Sequence, residues 1–158
     1  MEYILEKPVW NEDDYEVMGW HDASIYGIVI ENKPESFSSN LLLDIDYIFK
    51  WVNPIPPDDY FTFWVAPCTL VFKEAFNLII DIDYRDYMLY PCEIADLYLV
   101  SKIEQSNNVF VYEWNIELQQ GSIRLKSVGF EQIVKKYPMH VRGQLLDIDQ
   151  RGGINFYK

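Results

Sequence analysis

The chain has 158 residues, of which 49% are hydrophobic, 16% aromatic and 24% charged. That size and composition suit one domain with its own core, 1–158, and exclude a disordered, collagen-like or linker-like chain. Twenty-five acids against thirteen bases give a net charge of -12, which disfavours nucleic acid and anionic membrane surfaces as partners and favours a basic protein or a cation. Nineteen of the acids and only five of the bases lie in residues 1–100, so the acidic surplus belongs to the first two-thirds.

The N-terminal Met1–Lys7 lacks the basic and apolar regions of a signal peptide. The longest near-apolar run, Phe61–Phe72, is too short for a helical membrane span and contains Pro67. A cytoplasmic setting is expected. Cys68 and Cys92 form no CxxC pair and lie among apolar or aromatic residues, so they read as small buried hydrophobes, with a disulfide as the open alternative.

In chain order, the dominant period is two. Ser24–Glu31 is β-branched and aromatic and reads as a strand. Asn32–Ser36 is a turn cluster. In Leu41–Phe49, Leu41, Leu43, Ile45 and Tyr47 share one face, and Leu42, Asp44, Asp46 and Ile48 the other. Asn53–Asp59 holds three prolines and must be a loop. Tyr60–Val65 and Cys68–Lys73 read as strands broken at Ala66-Pro67, and Leu78–Tyr84 as another. Ile94–Ile103 alternates, with a helix as the competing reading.

Val109–Gln119 puts Phe110, Tyr112, Trp114, Ile116 and Leu118 on one face. A two-residue loop at Gln120-Gly121 would set Leu118 against Ile123, Ile116 against Leu125 and Glu117 against Arg124. Phe130, Ile133, Val134 and Tyr137 have helical spacing, and Pro138 would end a helix there, with a strand as the alternative. Gln144–Asp149 returns to period two. The pattern predicts a β-dominated single domain, all-β or α+β: an antiparallel sandwich or barrel with at most one or two short helices.

Asp-Ile-Asp occurs three times, at Asp44–Asp46, Asp81–Asp83 and Asp147–Asp149. On a strand both aspartates of a pair share a face. The bland reading is a solvated sheet face alternating with a buried isoleucine. Two functional readings stand beside it: an acidic recognition patch, or a carboxylate cluster for Ca²⁺ or Mg²⁺ should two pairs converge. Asp44, Asp46, Asp81 and Asp83, with Trp51 as an aromatic companion, are the candidate partner-binding residues.

No HExxH, GxSxG or Walker pattern is present, and no cofactor is implied. His21 beside Asp22, and Cys68 with a histidine, are the only formal starting points for catalysis. His21 reads rather as a structural imidazole. The abundant aromatics exceed what one core needs, so some should be exposed in an interface or a carbohydrate cleft.

Trp20-His21-Asp22, Leu43–Ile48, Trp51, Phe63–Phe72 and Trp114–Leu118 together resemble a group of small acidic bacterial proteins without an established activity. In size, charge and aromatic content the chain is also similar to immunity proteins of contact-dependent and polymorphic toxin systems. That likeness implies a non-enzymatic, protein-binding module that occludes a basic toxin surface. The runners-up are a divalent-cation or small-ligand binding β-domain, and an enzyme of unknown reaction.

Overall fold

The computed structural model describes residues 2–158 as ten strands and little helix. The strands are β1 (Val9–Asn11), β2 (Ser24–Lys33), β3 (Ser38–Val52), β4 (Thr62–Phe72), β5 (Phe76–Ile82), β6 (Cys92–Ser106), β7 (Val109–Leu118), β8 (Gly121–Ser127), β9 (Phe130–Val134) and β10 (Met139–Val141). Two 3-10 turns, Glu12–Val17 and Pro34–Ser36, and one helical turn α1, Ile148–Arg151, complete the described chain. No helix among the described residues is long and apolar enough to cross a membrane.

Every described strand pair is antiparallel. The order is β1-β9-β4-β3-β2-β6-β7-β8-β5, with β10 beside β4. The order is open at β1 and β5, so the sheet does not close into a barrel. β2 and β6 pair only at Ser24–Glu93 and Ile25–Cys92. There the sheet folds over into two layers, β1-β9-β4-β3-β2 and β6-β7-β8-β5.

The core lies between the layers. Leu41, Leu43, Ile45 and Tyr47 of β3, with Ala66, Cys68, Leu70 and Phe72 of β4, meet Trp114, Ile116 and Leu118 of β7 and Ile123 and Leu125 of β8. These are the alternate residues that period two assigns to one face. Trp20, Trp114 and Phe130 pack edge to face at its centre, with Trp20–Phe130 at 5.8 Å and Trp114–Phe130 at 5.4 Å.

Four expectations are corrected. First, β4 runs unbroken through Pro67. Pro67 falls between the β9 partners, Cys68–Phe72, and the β10 partners, Phe63–Val65, where its missing N–H leaves no ladder gap. Second, Phe130–Val134 is strand β9, not a helix. Phe130 and Gln132 are buried, and the segment completes the ladder of β4. Third, the β7–β8 loop is Gln119-Gln120, so Leu118 opposes Gly121, Ile116 opposes Ile123 and Asn115 opposes Arg124. The shift of two residues keeps every side chain on its expected face. Fourth, Gln144–Asp149 is not a strand. Asp147 caps α1, its side chain accepting from Gln150 N at 2.7 Å.

Candidate functional site

The second face of β3 decides where the candidate aspartates go. Asp44 and Asp46 are both 0% exposed. The chain after β10, from Gln144 onward, crosses the outer face of the first layer and covers them. Leu146 packs there with Ile48, Phe63 and Val65 as a second small core. Arg151 plugs the space between the two carboxylates. Its Nη1 and Nη2 donate to the two oxygens of Asp44 at 2.8 and 2.7 Å, and its Nε donates to Asp46 at 3.1 Å. The guanidinium also lies 4.0 Å over the Tyr26 ring.

Lys135 Nζ adds a 2.6 Å bond to Asp44 and donates to the Asn155 carbonyl at 2.7 Å. Backbone N–H groups of Leu146 and Asn155 donate to Asp46 and Asp44. Two acids and two bases therefore neutralise each other inside the fold. Burial pushes the Asp46 carboxyl up against the pull of the Leu146 N–H and Arg151, and pulls Lys135 down despite Asp44. Burial also opposes charge on Arg151, but the hydrogen bonds and charges of Asp44 and Asp46 outweigh it and hold the guanidinium protonated.

Asp44 and Asp46 thus do not lie on a recognition surface. Their isoleucine-alternating face is not solvated, because the C-terminal segment buries it. The carboxylates of this one pair close on a shared cation, and that cation is a guanidinium. Among the described residues no group of three or more His, Cys, Asp or Glu is placed to hold a metal ion.

The other candidates stay at the surface. Asp81 and Asp83 are exposed, and Trp51 is 39% exposed, whereas Trp10, Trp20, Trp64 and Trp114 are buried. A chain of contacts ties Asp83 to Trp51. The Asp83 N–H donates to the Gln120 carbonyl at 2.9 Å, and the Gln120 side chain accepts from the Glu93 N–H at 3.2 Å. The Glu93 carboxyl meets Asp22. His21 Nε2 lies 3.6 Å from Asp22, and its ring stacks on Trp51 at 6.0 Å. Asp81 stands two residues back along β5, opposite Ser122.

This corner is held in shape. Asp22 sits at φ 65, a left-handed conformation that aspartate tolerates better than most residues. Its N–H donates to the Ile94 carbonyl, and its carboxylate accepts from Gln144 Nε2 at 2.8 Å. His21 Nδ1 donates to the Ala95 carbonyl at 2.9 Å, since a carbonyl oxygen can only accept. Burial raises the Glu93 carboxyl, and the adjoining Asp22 raises it further, with His21 pulling the other way. Asp83 is held low by hydrogen bonds from Arg85, whose Nη2 is 2.6 Å away.

Two apolar loops flank the corner. Loop 53–61, with Pro56-Pro57 in cis, exposes Ile55, Tyr60 and Phe61. Loop 83–91 exposes Tyr87, Met88, Leu89 and Tyr90, with Leu89 at 84%. Tyr84 Oη donates to the Tyr90 carbonyl at 2.6 Å and meets Cys92 Sγ at 3.2 Å, which closes the second loop at its base. Its hydroxyl is pushed up to about 12, by burial first and then by Cys92.

Cys68 and Cys92 are both free thiols. Cys68 is fully buried and burial pushes its thiol far up, so it presents no nucleophile. His21 bonds the Ala95 carbonyl of β6 and stacks on Trp51. Sequence reading missed Glu93, which comes beside Asp22 through the β2–β6 pairing, and Gln120, which bonds Glu93. It also missed Arg151, Lys135 and the flanking loops.

No protein-family model, curated protein or solved structure matches this chain. The functional reading therefore rests on the residues themselves.

Proposed function

We propose that the protein is a non-enzymatic binding module, immunity-like in mode, that occludes a basic protein partner. The corner of Asp22, Glu93, Asp83 and Trp51 is its recognition face, with loops 53–61 and 83–91 as apolar flanks. One observation carries the reading: large apolar side chains stand exposed on two loops that border a set of carboxylates. Exposed aromatic and apolar anchors around charge suit a protein interface. Carboxylates beside an indole suit a guanidinium, which forks onto the oxygens and stacks on the ring. The chain handles its own Arg151 in this manner, between Asp44 and Asp46 and over Tyr26.

The mechanism is occlusion rather than chemistry. The net charge of -12 speeds encounter with a basic surface, and the apolar loops set residence time. The test is affinity capture from the source lysate at low and high salt, with wild type, Trp51→Ala and Asp83→Lys as baits. The expected result is a basic protein held by wild type, more at low salt, and depleted with both variants. Equal recovery by all three baits would remove this surface from the account.

A further inference from the structure

The exposed edge of the second layer belongs to β5, the last strand in the sheet order. Natural edges are commonly blunted by lysine, proline, a bulge or a covering segment; the bulge of β5 lies at its start, between Phe76 and Ile79, and leaves Ile79–Ile82 in regular register. β5, Phe76–Ile82, has no lysine or proline, carries Asp81 as its one charge, and exposes Phe76, Ile79 and Ile80 at 44–52%. Beside it, on the outward face of β8, stand Arg124 and Lys126. Among the described residues neither has a carboxylate within salt-bridge distance, although Glu113 lies opposite Lys126 on the ladder. With Asn77, Leu78, Ile79, Leu125 and Glu113 they line a shallow cleft of about 470 Å³, in which two bases face one acid. Asn77 is in the left-handed region at φ 53, at the bulge between Phe76 and Ile79.

We infer that this edge is a homodimer interface in which β5 of two copies pair antiparallel about a two-fold axis near Ile80. The occupant follows from charge complementarity. With the axis at Ile80, residue 81 of one copy falls opposite residue 79 of the other, within the regular part of the strand. The partner's Asp81 then stands beside Ile79, whose ladder partner is Arg124, at the mouth of the cleft, and the reciprocal contact forms by symmetry. No like charges face each other along the strand, because Asp81 is the only charge on it. The same contact covers Ile79 and Ile80 and satisfies an open row of backbone donors and acceptors. The inference is independent of the corner surface, from which Asp81 is set apart on the β5 face.

The test is sedimentation of the full chain from about 10 µM to about 1 mM at physiological salt. Wild type is expected to dimerise within that range. Asp81→Lys should weaken the dimer by about tenfold or more, and the exchanged pair Asp81→Arg with Arg124→Asp should restore it. Both substitutions are on exposed side chains, and an unchanged melting curve would show that the variants fold. A chain that stays monomeric to the highest concentration would overturn the inference. So would a dimer indifferent to Asp81→Lys, or one that the exchanged pair fails to restore.

Discussion

Arg151 shows how one side chain fixes the meaning of others far away in sequence. It is 1% exposed and satisfies two aspartates that would otherwise be uncompensated charges in a dry interior. Replacing it with methionine keeps much of the volume and strands both carboxylates. The expected loss is about 3–5 kcal/mol, read from urea unfolding. Arg85→Met, at an exposed pair with Asp83, should barely move the midpoint. Equal shifts for the two variants would mean that the buried cluster carries no special weight. Glu93 makes the opposite case. Its folded-state pKa is raised, by burial first and then by Asp22, so its ionised form costs stability above its ordinary carboxylate range and costs nothing below it. Glu93→Gln should therefore raise the melting temperature near about pH 7 and lose that advantage by about pH 4. A gain that persists in acid would show that the carboxyl is not strained by its neighbours.

At the scale of elements, the β7–β8 hairpin shows what a glycine was needed for. The hairpin pattern places Gly121 in the loop, but it lies in the ladder between Leu118 and Ile82, at φ 149. A Cβ there would meet the Asp81 carbonyl oxygen at 1.9 Å. Its role is to let β5 approach β8. Gly121→Ala should cost about 2 kcal/mol or more by thermal melting and loosen the β5 edge in hydrogen exchange. An unperturbed melt would return the glycine to a plain loop role.

Period two located the strands and their core faces, because side-chain alternation is a local property of extended chain. It could not reveal that the reverse face of β3 is also buried, since the cover comes from a segment about a hundred residues later. Nor could it separate the three Asp-Ile-Asp motifs. One clamps Arg151, one lies at an exposed edge, and one caps α1 through Asp147. The helical spacing of Phe130, Ile133, Val134 and Tyr137 misled because β4 had an unfilled ladder, and tertiary pairing outweighed local spacing. Of the candidate site, Trp51 and Asp83 were legible from residue type. Asp22 was visible only as the neighbour of His21, and Glu93 only through the fold.

On the scale of the whole molecule, the proposed recognition face lies where β2 meets β6, beside two loops that expose large apolar side chains. Charge alone draws any acidic chain to a basic partner, so the decisive comparison holds net charge constant. The measurement is calorimetric titration with an arginine-rich peptide of wild type, of Asp83→Lys with Glu93→Lys, and of Glu35→Lys with Asp149→Lys. The last pair reverses two exposed acids outside the corner and gives the same total charge. The account predicts that the corner variant binds about tenfold or more weaker than the matched control. Equal affinity of the two variants would contradict a localised recognition face and leave only the diffuse attraction of an acidic protein.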